Sequence, residues 1–520
     1  AGEGGADVYY PPGRCWLLHP PITSDRMRRL FPPLAAFAAI TLLAACQPKH
    51  MTPQAWDALV NEFLDSTFAA RPDIAVSAGR HEFDGRLPDW SQAGLENERG
   101  RLEEWRARID KADAATLDTA RLFARQYIVS VIDGQLFWLE RADWPHRNPA
   151  FYADALDPDV YVSRAYAPLD KRMRSYIAYA RSVPKAAKEI QANLRAPLPR
   201  TFIDRGVGAF GGFASFYGED VPKVFAPVNV PALQAEFRAA NDSAIAAMKD
   251  LAAWLETLRP TQTEDFAMGA ELFKDMLWQT ERVDTPLDEL TKIARADLDR
   301  NLAALHKACA TYAAGKTVNE CVARVYPNNP AQGPLDAARP QLTGLRALIE
   351  HTQIVTIPGP EQALVGESPP YMRWNSAYIN IPGPYEKNLP STYYISPPDT
   401  TWSAAERAEY VPSKADLEYT SVHEVWPGHF LQFLHANRSP SKFAQVFVGY
   451  AFAEGWAHYA EEMMWDAGVN NGDAEMHIGM LLNALLRNAR FVAAIGLHTG
   501  GMTVTEAETK FVEEGHQGIG

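Results

Sequence analysis

The chain has 520 residues, of which 47% are apolar and 22% charged, the balance of a globular protein long enough to bury a large core. That composition excludes a disordered or fibrous chain. A formal net charge of -14 and a pI near 5.5 argue against a nucleic-acid surface, because phosphate binding needs clustered Lys and Arg and no such stripe occurs.

Residues 1–26, rich in Gly and Pro and without a starting Met, read as sequence upstream of a true start at Met27. Met27-Arg28-Arg29 then precedes Leu30 to Ala45, an apolar run too short for a comfortable membrane span and interrupted by Pro32-Pro33. Residues 27–45 are therefore expected to be a signal peptide. The run ends in Leu43-Ala44-Ala45-Cys46, which resembles the lipobox of bacterial lipoproteins. The resemblance implies that Cys46 is acylated and begins the mature chain, which would then be periplasmic and touch the membrane only through its lipid. A plain secretory signal or an uncleaved anchor is the alternative, and both also place the bulk of the chain outside the cytoplasm. With Cys15 removed, Cys309 and Cys321 remain in an oxidising compartment, where a structural disulfide over a short loop is expected.

Residues 46–353 read as a helical body. Trp56, Leu59, Val60, Phe63 and Leu64 recur at steps of three and four, as do Leu122, Phe123, Tyr127 and Val131. Helices should break at Arg71-Pro72-Asp73, Leu156-Asp157-Pro158, Ala196-Pro197-Leu198-Pro199 and Tyr326-Pro327-Asn328-Asn329-Pro330. Residues 354–520 form a second region that opens differently. Nine prolines fall between Ile354 and Asp399, with alternation at Tyr378-Ile379-Asn380-Ile381 and from Ser391 to Ser396, which predicts a small hairpin around Pro382-Gly383-Pro384. Its edge could hold an extended peptide, with Tyr385, Tyr393 and Tyr394 lining the groove, or it could be a packed strut between helices.

Ser413 then offers N-cap chemistry to a helix running to about Ala436, and Ser439-Pro440 to a second one ending near Gly468. The first carries His423-Glu424-Val425-Trp426-Pro427-Gly428-His429. A hydrolytic zinc site needs three protein ligands, an open position for water and a carboxylate to take the water's proton. Two His four residues apart face one ion, whereas six residues turn a regular helix by about 240° and separate them. Pro427 lacks an N–H and its ring opposes the carbonyl of His423, so the helix must open, and Gly428 lets His429 swing back.

The stretch HEVWPGHFLQ, followed by FAEGWAHYAEEM, resembles the DUF885 family of bacterial proteins, whose pattern is HExxPGHxxQ with a later EGWAxYxE. The resemblance covers most of the chain from about Thr52, and that family is similar to gluzincin metallopeptidases. It implies a mainly α, elongated multi-helix, neurolysin-like fold with the small β-element beside the active-site helices. It also implies one Zn²⁺ per chain, held by His423, His429 and Glu454, with Glu424 as general base. The 25 residues from His429 to Glu454 leave room for one helix to end and a second to return alongside.

His458, one turn beyond Glu454, is a candidate catalytic donor to the reacting carbonyl, and His435 reads as a capping or exposed residue. Arg487, Arg490 and His498 lie in a further stretch that resembles the family. Arg490 and His498 join Tyr393 as candidates for substrate binding, with pairing to one of the chain's 64 acids as the alternative for the arginines. The stretch from Arg80 to Asp84 is explained by a turn held by Asp and His. The family continues past Gln517 with a tyrosine-containing segment, so the chain is expected to be C-terminally truncated. These features predict a zinc peptidase acting on peptide substrates. The alternative is an envelope lipoprotein that binds peptides or partners with an inert or structural metal site.

Overall fold

Local chemistry sets the helices of the N-terminal half, and in a computed structural model of the chain it can be followed over residues 51–517, apart from 370, 371 and 374. The expected signal peptide, Cys46 and the expected upstream extension lie outside these described residues. The Thr52 side chain accepts from Ala55 N–H and starts α1 (Pro53–Ala70), which stops at Arg71 before the short α2 (Pro72–Ser77). Ser91 caps α3 (Gln92–Lys111) and Asp118 caps α4 (Thr119–Leu136). Trp56, Val60, Phe63 and Leu64 are buried as their spacing predicts. In α4, however, Leu122 and Phe123 are exposed and the buried face is Ile128 and Ile132. The helical period holds there, and which face it buries is set by α3 and the later helix Ala270–Glu281, which pack against the side carrying Ile128 and Ile132.

Three long helices, α5 (Leu169–Asn193), α6 (Arg200–Glu219) and α7 (Pro231–Thr257), pack on one another around Tyr176, Tyr179, Phe210 and Leu251. After α8 (Ala270–Glu281) come α9 (Leu287–Tyr312), α10 (Val318–Val325) and α11 (Pro334–Thr352). Cys309 of α9 and Cys321 of α10 form the expected disulfide.

The β-element has three strands rather than two: β1 (Ala363–Glu367), β2 (Ala377–Asn380) and β3 (Ser391–Ile395). β2 and β3 pair antiparallel, Ile379 opposite Tyr393, as the predicted hairpin, while β1 adds to the far side of β3 in parallel. β2 is thus an edge strand. The loop after it docks on the end of α2, where Tyr385 N–H donates to the Ala78 carbonyl and Gly383 sits so close that a Cβ would lie 2.3 Å from the Ala78 carbonyl carbon.

Ser413 caps α12 (Lys414–Glu424), and α13 (His429–Ala436) follows after a break. The second site helix starts later than Ser439-Pro440 suggests. Ser441 caps only the short α14 (Lys442–Val446), and α15 (Tyr450–Asp466) begins after Gly449. Then come α16 (Ala474–Thr499) and α17 (Val504–Glu513). Among the described residues α16 alone is long and apolar enough to cross a membrane, but 67% of that stretch is buried, as befits a core helix. It packs along α9 and α12, meeting α12 so closely that a Cβ on Gly479 would lie 2.5 Å from that of Ala415. The core around the histidine helix therefore draws on α9–α11 as well as on residues after 353. The change of pattern at 353 is one of element type, not of core. The described residues are mainly α.

Candidate metal centre

The predicted break in the histidine helix is present and its atoms explain it. α12 ends at Glu424, Val425 leaves the helical region, and the Gly428 N–H folds back to the Val422 carbonyl at 3.0 Å. Gly428 has φ -72°, so its need for glycine is not a left-handed backbone. A Cβ there would stand 1.7 Å from the His423 carbonyl oxygen, closer than any atom can approach. The Trp456 indole N–H, reaching from α15, donates to the Pro427 carbonyl at 2.8 Å and pins the turn to the second site helix.

This turn sets the His423 and His429 rings perpendicular to each other, 4.8 Å apart between centres. Glu454 rises between them from α15, with Oε2 3.5 Å from His423 Nε2 and Oε1 3.6 Å from His429 Nε2. One ligand atom from each of the three lies within 4.8 Å of the others. Two imidazoles and a carboxylate converging in this way are a donor set suited to Zn²⁺. Glu424, the next residue, is buried, and its Oε2 accepts the Ile379 N–H of β2 at 3.0 Å, which ties the carboxyl to the edge strand.

The electrostatics follow from burial and contact. Burial lowers the affinity of His423 for a proton, but hydrogen bonds to Glu454 and Glu461 outweigh it and push the group up to about 9. His429 is pulled down to about 4 by burial and by the charge of His423. Burial pushes Glu424 up to about 7, against the pull of His423, which suits a group that must exchange a proton near neutrality. The His423 contact lowers Glu454, against burial.

Glu461 is the residue that sequence reasoning missed. Its Oε1 accepts from His423 Nδ1 at 2.8 Å and from Arg487 Nη2 at 3.1 Å, and its side chain is 1% exposed. The Glu461 carboxylate favours a proton on Nδ1, which Arg487 Nη2 also approaches at 3.0 Å, and Nε2 is left facing Glu454. The signal was available, since Glu461 is the last Glu of the quoted EGWAxYxE pattern and lies seven residues, about two turns, beyond Glu454. Arg487 is occupied by this pairing.

The other candidates add no atom to the triad. His458 is half-buried a turn past Glu454, its Nδ1 without a partner, and the α15 residues lining the cleft are Tyr450, Ala453 and Glu454 instead. Tyr393 is 0% exposed in the core and does not line the groove; β3 is the middle strand, and its alternation turns Tyr393 inward. Tyr378 of β2 lines the cleft in its place. His498 accepts the Met268 N–H through Nδ1 and stacks on Phe273, so it holds α16 to α8. Arg490 is exposed near Tyr450. His435 bonds to the Thr356 carbonyl, and His81 lies between Asp84 and Glu386, stacked on Tyr166.

The triad opens on a cleft of about 770 Å³, bounded by Tyr378 to Pro384 on one side and by Asp154, Asp157 and Asp159 on another.

No curated protein matches the chain. Solved structures share its fold, among them the following two. One is a candidate lipoprotein of unknown function from Shewanella oneidensis, 22% identical, with 89% of this chain and 87% of that one covered and a TM-score of 0.72. The other is a candidate lipoprotein from Colwellia psychrerythraea, 16% identical, with 90% and 87% covered and a TM-score of 0.74. The family described as "bacterial protein of unknown function (DUF885)" matches residues 72–518, a span that holds the bent histidine turn, the returning Glu454 and the edge strand alike, and the chain belongs to that family.

Proposed function

We propose that the chain is a zinc-dependent peptidase of the bacterial envelope, anchored by a lipid on Cys46. The observation that carries the reading is the convergence of His423, His429 and Glu454 within 4.8 Å, beside a buried Glu424 whose carboxyl is held by the Ile379 N–H. When bound, the ion lowers the pKa of its water to about 7 and polarises the carbonyl under attack. The chain's own residues do the rest. Glu424 takes the water's proton and returns it to the leaving amine, while its bond to Ile379 N–H keeps the carboxyl from turning away. Glu461 holds the His423 ring, and the exposed Tyr450, whose phenol lies beside Glu454, stands on the cleft wall where it can meet a developing oxyanion.

The peptide reading is favoured over other amides or esters by β2. It is an edge strand bordering the cleft, with its Ile379 N–H held by Glu424, and an extended peptide can add to the rest of such an edge through main-chain hydrogen bonds. The lipobox, together with candidate lipoproteins of the same fold, supports the envelope placement. Incubating the zinc-loaded chain with a mixture of quenched fluorescent peptides tests the activity. Cleavage by the parent, abolished in Glu424→Gln with zinc retained, is expected; equal turnover in both would remove Glu424 from the mechanism.

A further inference from the structure

A groove of about 720 Å³ is walled by Phe123 and Tyr127 of α4, by Leu431 of α13, and by Phe447, Phe452 and Trp456 just before and within α15. The Tyr127 hydroxyl donates to the Phe447 carbonyl at 2.7 Å and joins two of these walls. Among the described residues, none of those lining the groove is Asp, Glu, Lys or Arg, and none also lines the metal cleft. The rim stands out into water: Phe123 is 67% and Phe452 61% exposed. Leu122 and Ile354, each next in sequence to a lining residue, are exposed as well. Exposed apolar surface of this kind, gathered round an uncharged groove, marks a contact with another protein or with lipid.

The start of α1 lies on the same side of the molecule. Thr116, shortly before α4, donates through Oγ1 to the Met51 carbonyl, and Arg121 pairs with Asp57 in the second turn of α1 at 2.8 Å. Tyr127 and Phe447 pack on the same core cluster as Met51. In the sequence, Met51 is five residues from Cys46, where the lipobox resemblance puts the acyl group, and five extended residues span about 18 Å at most. A folded body of about 470 residues has a radius of gyration of about 23 Å, so a tether that short can bring only surfaces near Met51 to a bilayer.

We propose that the groove rim is a membrane-docking face, with Leu122, Phe123 and Phe452 seated at the boundary between headgroups and acyl chains, a second contact with the bilayer besides the lipid itself. The choice of a bilayer as partner rests on the lipoprotein reading of Cys46 and not on peptidase activity. On α15, Phe452 and Glu454 lie about 200° apart around the helix, so a chain docked through Phe452 keeps the metal cleft turned away from the lipid.

The test is co-sedimentation with sucrose-loaded vesicles of neutral phosphatidylcholine, using the chain from residue 46 onward with Cys46→Ser to remove the acylation site. Binding is expected, weakened at least about tenfold by Phe123→Ala combined with Phe452→Ala and restored by Trp at both positions. Both side chains are exposed, so the melting temperature should not change. No binding by the parent, or binding that the alanine pair leaves as it was, overturns the docking face. Dimerisation in lipid-free solution that the alanine pair abolishes assigns the face to a second copy and overturns it too. The anchor is read separately, from the mass of the N-terminal peptide of the full chain extracted from bacterial membranes. An unacylated Cys46 contradicts the lipoprotein reading, while vesicle binding through Phe123 and Phe452 still decides the face.

Discussion

Glu461 accepts a hydrogen bond from His423 Nδ1 across 2.8 Å, seven residues beyond Glu454 on the same helix, so α15 supplies both a ligand and the group that aims another. Carboxylates that orient metal-bound imidazoles typically change affinity 10–100-fold when removed. Glu461→Gln should therefore weaken zinc binding by about that factor while leaving the fold intact, as measured by competition with a chromophoric chelator. An unchanged affinity would reduce Glu461 to a core ion pair with Arg487.

Glu424 gives a pH signature in the chelator-treated protein. Its carboxyl titrates near 7 when folded against 4.5 for a free Glu, so the folded chain binds this proton more tightly than the unfolded one. The resulting stability is present in full below about 4.5 and is lost as pH rises through 7, where burial of the charge becomes a cost on the order of 1–3 kcal/mol. Glu424→Gln removes that cost. By urea unfolding the variant should be more stable than the parent at pH 8 and close to it at pH 4.5. An equal difference at both pH values would contradict the assignment.

Gly428→Ala tests the bent helix. With a Cβ only 1.7 Å from the His423 carbonyl oxygen, the turn must open, and a loss on the order of 3 kcal/mol with failure to hold zinc is expected. Gly455 is the control: it lies inside α15 with nothing within 4 Å of its added Cβ, so alanine there should be neutral or stabilise by about 0.5–1 kcal/mol. Thermal melts and zinc content on the two variants separate them, and similar losses in both would mean the close approach at Gly428 is not what shapes the turn.

The Cys309–Cys321 disulfide closes a span of 12 residues between α9 and α10. Loop-closure entropy gives it a value of about 2–3 kcal/mol. Replacing both cysteines with alanine should lower unfolding stability by that amount and leave zinc content unchanged, since neither residue belongs to the ligand group. A loss of zinc in the double variant would show that α9 and α10 position the site helices more directly than their packing suggests.

What could be read from the sequence divides by range. The histidine turn was legible because Pro427 and Gly428 act on atoms a few residues away, and the cap at Ser413 for the same reason. Tyr393 was misplaced because alternation gives two faces without saying which is covered; β1, pairing from the other side, made β3 the central strand. Leu122 and Phe123 failed likewise, since the face that α4 buries depends on α3 and α8. Gln445 and Phe443 are buried in the short α14, and the chain then breaks before α15, a detour that Ser439-Pro440 alone does not signal. The cleft's acidic wall, from residues near 157, meets strand residues near 380 through contacts such as Asn380 Nδ2 to Asp159 Oδ2, more than two hundred positions apart in sequence. No local pattern encodes that meeting.

The central claim is the ligand set, and metal analysis tests it most directly. Elemental mass spectrometry on the purified chain from Cys46 onward, beside His429→Ala and Glu454→Ala, should find about one zinc per chain in the parent and little in either variant, as three-ligand sites require. No zinc in the parent, or zinc retained in both variants, would contradict the assignment of His423, His429 and Glu454 as a metal centre.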